Sequence, residues 1–326
     1  MKKIFTGIRP TATLTIANLI GAAFPLLDLQ KNAKDAEIMV FVATMHALTD
    51  HEVGQLGVKE VVKDYLALGL DPAKVTIFDQ RSIRKEVALM TLYLERHMTV
   101  ARVCRVPTLK DKLKDGQNPE NATMLLAAYP IMMAADILLQ DANAVPVGKD
   151  QFSHMEAARE LADAFNEKYG NGKNVLVRPE TMNRDEPVNI LALVGEGKMS
   201  KSKPEGAIFL TDDADSITKK MKKAETALEG EMSANLDSLL KIAVTLSPDH
   251  KAEIDALMAR HMSGEKVMGD LKKLIGEIII NFTTAFQQRR SEISDAFVDD
   301  ILEKGGQIAK KNADAVLERV ENALGF

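Results

Sequence analysis

Apolar residues change their spacing along the chain. Residues 3–6 are a short strand candidate, and 38–43, 75–79 and 144–147 are largely apolar stretches of strand length. The run Ile38-Met39-Val40-Phe41-Val42-Ala43 is unbroken, as in a strand covered on both faces. Between these runs apolar residues recur at helical steps. Leu19, Ala22, Ala23, Leu26 and Leu27 form one stripe within 18–31, and Val58, Val61, Val62, Tyr65 and Leu66 form another within 53–70, which Asp71-Pro72 ends. Helical spacing returns over 87–98 and 151–169. Alternating strands and helices predict an α/β fold with a parallel sheet.

Strand signals stop near residue 205. Stretches 216–226, 236–246, 248–259, 263–293, 294–304 and 308–324 all read as helices with charged faces. Lys203-Pro204-Glu205-Gly206 is the expected linker. The predicted domains are an α/β unit over 1–205 and an all-α unit over 206–326, and a length of 326 residues accommodates both.

Composition narrows the class. At 46% apolar and 27% charged residues the chain is globular and not disordered. The only cysteine, Cys104, excludes an intramolecular disulfide and a cysteine-built zinc site, and fits a reducing compartment. Lys2-Lys3 is followed by no long apolar run, so no secretory signal is expected, and no run reaches a membrane span of about 18 residues. These features predict a cytoplasmic protein with no membrane partner. A net charge of −5 argues against a general nucleic-acid coat and leaves RNA to local basic clusters. Lys219, Lys220, Lys222 and Lys223 form one, with Arg289-Arg290 and Lys310-Lys311 as smaller ones. Each serves equally well as a solvated helix face.

Four segments carry candidate chemistry. Residues 7–18 join the first strand to the first helix, where free N–H groups favour phosphates, although a plain connection has the same form. Gly197-Lys198-Met199-Ser200-Lys201-Ser202 sets two point charges three residues apart on a flexible loop, suited to a polyphosphate. Asp136 interrupts the apolar run Tyr129-Pro130-Ile131-Met132-Met133-Ala134-Ala135-Asp136-Ile137-Leu138-Leu139. A buried carboxylate needs a donor, from a partner residue or a ligand. Gly148-Lys149-Asp150-Gln151 lies between a strand and a helix, and Asp150 suits an N-cap. The remaining histidines show no metal-ligand spacing, and no metal site of the protein's own is predicted.

The string Lys198-Met199-Ser200-Lys201-Ser202 resembles the second signature of the class I aminoacyl-tRNA synthetases. Thr15-Ile16-Ala17-Asn18 resembles their first signature in its tryptophan form, and the Tyr129–Leu139 stretch resembles the helix of the tryptophanyl-tRNA synthetases whose aspartate accepts the indole N–H. The resemblance covers almost the whole chain. It implies a Rossmann-like catalytic domain ending in the lysine loop, then a helical domain that binds the tRNA anticodon.

The implied activity is a tryptophan–tRNA ligase that makes tryptophanyl-adenylate from L-tryptophan and ATP and passes it to tRNA(Trp). Mg²⁺ would come with ATP, and the chain would be a homodimer. Lys198, Lys201 and Lys112 are the implied catalytic residues. Arg9, Thr11, Thr15, Ala17, Asn18, Gly148, Asp150, Met199, Ser200 and Ser202 would join Lys198 and Lys201 at ATP. Phe5, His46, Tyr129, Met133, Asp136 and Gln151 would bind tryptophan. His154 reads as structural.

Four departures stand out. Thr11-Ala12 replaces Ser-Gly and Ala17 replaces Gly, which predicts a weakened or reshaped ATP site. Thr44 stands where the family has Asp, and Pro25 falls inside a predicted helix, where it forces a kink or costs about 3 kcal/mol. Tyrosine also offers a donor to Asp136, so a tyrosyl-tRNA synthetase is an alternative, as is a paralogue that only binds RNA or tryptophan. The chain itself contains no Trp. An enzyme that loads tryptophan gains from being translatable when charged tRNA(Trp) is scarce; chance loss of a rare residue gives the same composition.

Overall fold

The structure is a computed structural model that describes residues 1–11, 13–49, 57–106, 121–148, 151–183 and 188–326. Among them β1 (Lys2–Ile8), β2 (Ala36–Val42), β3 (Val75–Asp79), β4 (Ala144–Val147) and β5 (Glu180–Asn183) form one sheet. The order is β3-β2-β1-β4-β5 and every pairing is parallel. Central β1 pairs with β2 from Lys2↔Ala36 to Ile8↔Val42, but with β4 only at Ile4↔Ala144. Strand order reverses between β1 and β4. Doubly wound sheets bind ligands in the crevice beyond the carboxyl ends at that point. The fifth strand was not predicted. Its sequence, Glu-Thr-Met-Asn, has no apolar run, because it is an edge strand paired on one side only.

Alternate residues of each strand feed opposite faces of the sheet. Ile4, Ile38, Val40, Val42 and Ile77 enter one core layer, and Phe5, Met39, Phe41, Phe78 and Val145 enter the other. Helix α1 has three parts: Ile16–Asn18, a π turn at Leu19–Ala23, and Phe24–Asn32. The π turn resolves the expected difficulty at Pro25. The wide turn closes with the Phe24 N–H on Leu19 O, and Pro25 then falls in the first turn of Phe24–Asn32, where a missing N–H costs little. Next come α2 (Thr44–Ala47), α3 (Val58–Ala67), α4 (Arg84–Glu95), α5 (Val100–Val103), α6 (Met124–Leu139) and α7 (Phe152–Tyr169).

Among the described residues the long elements after the last strand are all helices: α8 (Ala214–Lys223), α9 (Ala234–Leu246), α10 (Lys251–Met262), α11 (Met268–Ser291) and α12 (Asp295–Leu324). The two helices expected over 294–304 and 308–324 are one continuous element. Gly305-Gly306 is a contact and not a break: a Cβ on Gly305 would lie 1.9 Å from the carbonyl oxygen of Ile77 on β3. Helix α12 thus returns to the sheet, and Ala309, Ala313, Val316 and Val320 join the second core layer. Helices α8 to α11 build on the first layer through Ile217, Leu239, Ile254 and Ile275.

Candidate functional site

A cavity of about 1280 Å³ opens at the carboxyl ends of β1, β2 and β4. Phe5, Gly7, Arg9 and Thr11 line it from β1 and the turn after it, and Gly148 and Gln151 from beyond β4. His46, Tyr129 and Met133 complete an aromatic and thioether wall. Phe41 on β2, Ile137 on α6 and Val145 and Val147 on β4 also line it, and were missed in the sequence. Phe5 and Phe41 stack with centroids 4.8 Å apart. Gly7 permits this packing, since a Cβ there would meet the Phe41 ring at 2.7 Å.

Asp136 stands one layer back from the wall and is 1% exposed. Its donors belong to the chain and are neither Arg nor Lys. Gln80 Nε2 lies 2.8 Å from each carboxylate oxygen, and His46 Nε2 lies 2.8 Å from Oδ2. Gln80 Oε1 in turn accepts the Met45 N–H at 2.8 Å. The amide therefore ties the start of α2 to α6. His46 meets Tyr129 edge to face at 4.5 Å, and its Nδ1 is buried with no hydrogen-bond partner among the described residues. His154 is buried against Tyr129. Thr44 Oγ1 donates at 2.7 Å to Asp79, a carboxylate at the end of the neighbouring strand β3. Gln80 also escaped the sequence reading. The usable signal was a polar residue at the carboxyl end of a buried parallel strand, where ligand sites cluster.

The β1–α1 turn and the lysine loop meet. Lys201 Nζ donates to the Thr11 carbonyl at 3.0 Å and to its Oγ1 at 3.1 Å. The backbone following the loop pairs with the turn, through Ile16 N–H to Ile208 O and Leu210 N–H to Leu14 O. Gly195 (φ 75°) and Gly197 (φ 98°) make the tight reversal before the loop, in a region open mainly to glycine. Met199 anchors the loop in the core, Lys198 stays exposed, and Ser200 and Ser202 bond each other at 3.0 Å. Burial pushes the Lys201 ammonium below the ordinary lysine value, partly offset by the charge of Asp64. Thr15 and Asn18 form a capping box in which each side chain bonds the other's backbone. Ala17 lies between them, half-buried.

Lys112 and Asp150, and the Ala12 substitution, lie outside the described residues. The basic clusters fare differently from one another. Arg290 pairs with Asp64 and Glu60, and Arg289 donates to Ala67 O. Lys310 pairs with Glu86 and Asp314, and Lys220 with Asp212. Lys219, Lys222, Lys223 and Lys311 remain exposed. Among the described residues no group of three His, Cys, Asp or Glu could hold a metal ion, and no helix is long and apolar enough to cross a membrane.

The family description "tRNA synthetases class I (W and Y)" matches residues 1–284. The chain is 35% identical to a tryptophan–tRNA ligase of Porphyromonas gingivalis over 340 residues, covering 100% of both chains. It is 34% identical to the tryptophan–tRNA ligase of Streptococcus mutans, covering 99% of this chain and 98% of that one. In structure it is similar to the tryptophanyl-tRNA synthetase of Campylobacter jejuni complexed with ADP and tryptophan. There the TM-score is 0.84 and the identity 27%, over 99% of this chain and 100% of the other.

Proposed function

The chain belongs to the class I tRNA synthetases of the tryptophan and tyrosine family and acts as a tryptophan–tRNA ligase, and from that premise we propose how its cavity divides the work. Tryptophan occupies the pocket between Phe5, His46, Tyr129, Met133 and Gln151, and its indole N–H is read by Asp136. The observation that carries this reading is the Asp136 centre. A carboxylate offers about four lone-pair sites. Gln80 and His46 take three, which leaves one for the indole donor. The orphan Nδ1 of His46 offers the ligand a further partner.

ATP lies along the turn over residues 9–18 and against Gly148 and Asp150, with Mg²⁺ held by its phosphates. The tryptophan carboxylate attacks the α-phosphorus, pyrophosphate departs, and a ribose hydroxyl of the 3′-terminal adenosine of tRNA(Trp) then takes the acyl group and releases AMP. No covalent step on the protein is needed. The chain aligns the reactants, and Lys198, Lys201 and Lys112 set positive charge on the departing pyrophosphate. Met199, Ser200 and Ser202 hold that loop, and Thr15, Ala17 and Asn18 present the helix start to the phosphates.

Residues 206–326 serve tRNA, with exposed Lys219, Lys222 and Lys223 at the end of α8 as phosphate contacts. The reading makes the chain cytoplasmic. It also makes it a homodimer, supported by exposed Leu92, Val100, Met124 and Leu125 on α4, α5 and α6, where α4 and α5 each pack on α6. Pyrophosphate exchange, measured with tryptophan and tyrosine separately, tests the assignment. Exchange is expected with tryptophan, and exchange with tyrosine alone refutes it. Since the chain has no Trp, indole fluorescence in the complex reports the ligand alone.

Lys201 gives a pH test. Its pKa lies below the ordinary 10.5 because burial disfavours the ammonium. A reaction that needs the charged form must lose rate as pH rises through that lowered value. Lys201→Arg keeps its proton, so it should remove the alkaline limb of the exchange rate. Its rate should also fall below wild type at neutral pH, because a planar fork does not reproduce the point contacts at Thr11. An alkaline limb unchanged in the Arg variant excludes Lys201 as its source.

A further inference from the structure

A short backbone pairing joins the segment after the lysine loop to the β1–α1 turn. Thr15 stands opposite Phe209, antiparallel, with the Ile16 N–H on Ile208 O at 3.0 Å and the Leu210 N–H on Leu14 O at 2.9 Å. A pairing this short is marginal by itself. It also has strain beside it. Thr13 has φ 66°, in the left-handed region that β-branched residues avoid. Such a conformation persists only where surrounding contacts over-determine it.

Two helices that follow the sheet supply the support. Lys220 on α8 donates from Nζ to Ala207 O at 2.8 Å and to Asp212 Oδ2 at 2.6 Å, and lies 5.2 Å from the centroid of the Phe209 ring. Asp212 Oδ2 also accepts the Phe209 N–H at 2.9 Å. Gln287 on α11 donates from Nε2 to Leu210 O at 2.9 Å and to Asp212 O at 3.0 Å. Ala207, Ile208 and Leu210 are fully buried, so their backbone polar groups need hydrogen-bond partners. Side chains from two helices thus hold the segment over 207–212 along its length. The spacing on α8 shows why Lys220 differs from its neighbours. Ile217, Lys220, Met221 and Ala224 recur at helical steps on the inner face, while Lys219, Lys222 and Lys223 are exposed. One lysine of the basic run is therefore committed to the interior.

We propose that Lys220 and Gln287 are positioning residues that fix the segment over 207–212 and so hold the lysine loop before it and the start of α1 in register on one ATP. The proposal rests on the reading of that loop and turn as the ATP site. Neither residue lines the cavity, and no residue of 207–212 does, so the tryptophan pocket should not feel their loss.

The test is pyrophosphate exchange in the full chain, with ATP and tryptophan varied separately. Lys220→Met keeps the unbranched stem and removes the donors. Its KM for ATP should rise about ten-fold, the worth of one lost hydrogen bond to a charged group, while KM for tryptophan holds. Gln287→Leu, which loses bonds to neutral carbonyls only, should raise KM for ATP about three-fold. Amide hydrogen exchange gives a readout apart from activity. In either variant the peptide over 14–18 should exchange faster, while that over 36–42 on β2 keeps its wild-type rate. Faster exchange in both peptides, or an equal rise in both KM values, means general loosening and overturns the proposal. An unchanged KM for ATP in folded Lys220→Met also overturns it. If Lys220→Met does not fold, Gln287→Leu decides, and an unchanged KM for ATP there overturns it. Lys201→Ala separates the two readings. If it leaves pyrophosphate exchange intact, the ATP-site reading fails and the proposal falls with it. If it lowers that exchange while the Lys220 and Gln287 variants behave as wild type, only the positioning role fails.

Discussion

Asp136→Asn is expected to lower kcat/KM for tryptophan in pyrophosphate exchange by about 100-fold or more. The carboxylate accepts two contacts from Gln80 Nε2 and one from His46 Nε2. An amide of the same shape has one acceptor and one donor. Its N–H₂ would face a donor already in place, and the lone pair left for the indole N–H would be lost. Two substrates separate reading from support. Wild type should reject a tryptophan analogue with sulfur in place of the indole N–H, because a site built around a donor leaves its acceptor unpaired when the donor is missing. Asp136→Asn should handle the analogue and tryptophan alike. If the variant loses the same factor on both, Asp136 acts only by fixing His46 and Gln80, and the indole is read elsewhere. Asp136→Ala is the harsher change: it strands two buried donors and should destabilise the fold by several kcal/mol as well.

Gly305→Ala is expected to cost about 3 kcal/mol of stability or more, read as a lower urea midpoint. Helix propensity alone predicts the opposite sign, since Ala is favoured over Gly by about 1 kcal/mol inside a helix. The contact decides it. The new Cβ would stand 1.9 Å from the Ile77 carbonyl oxygen and 2.7 Å from its carbon, both backbone atoms of β3. Neither α12 nor the sheet can yield without disturbing the second core layer, where Phe78, Ala309 and Ala313 are fully buried. Gly306→Ala meets the Ser82 side chain at 3.0 Å and should cost less. Gly269 near the start of α11 is the control: nothing lies within 4 Å of its Cβ position, so Ala there should be neutral or stabilising by up to about 1 kcal/mol. A neutral Gly305→Ala would mean that α12 does not lie on β3 as described.

Much of the fold was legible for a local reason. Apolar spacing follows backbone geometry, so β1 to β4 and most helices show in short windows of sequence. β5 did not, because an edge strand needs no apolar run. Gly305-Gly306 reads as a stop and is a contact, because what a glycine permits depends on what approaches it. Pro25 reads as a kink and is absorbed by a π turn that ends two residues earlier. Arg289 and Arg290 read equally as an RNA contact or a solvated helix face, and instead bond α3.

The candidate site divides along the same line. By itself the sequence determined the class of fold, the two signature segments, the buried carboxylate at 136 and that this carboxylate needs a donor. Only the tertiary structure decided who the donors are: His46 and Gln80 lie 90 and 56 residues away in the chain. The same holds for Lys201 on Thr11, 190 residues apart, and for the bonds of α11 to Leu210 and Asp64. Burial sets the demand for a partner, and residue type alone announces it. Which partner answers depends on how the layers stack, and no local periodicity encodes that.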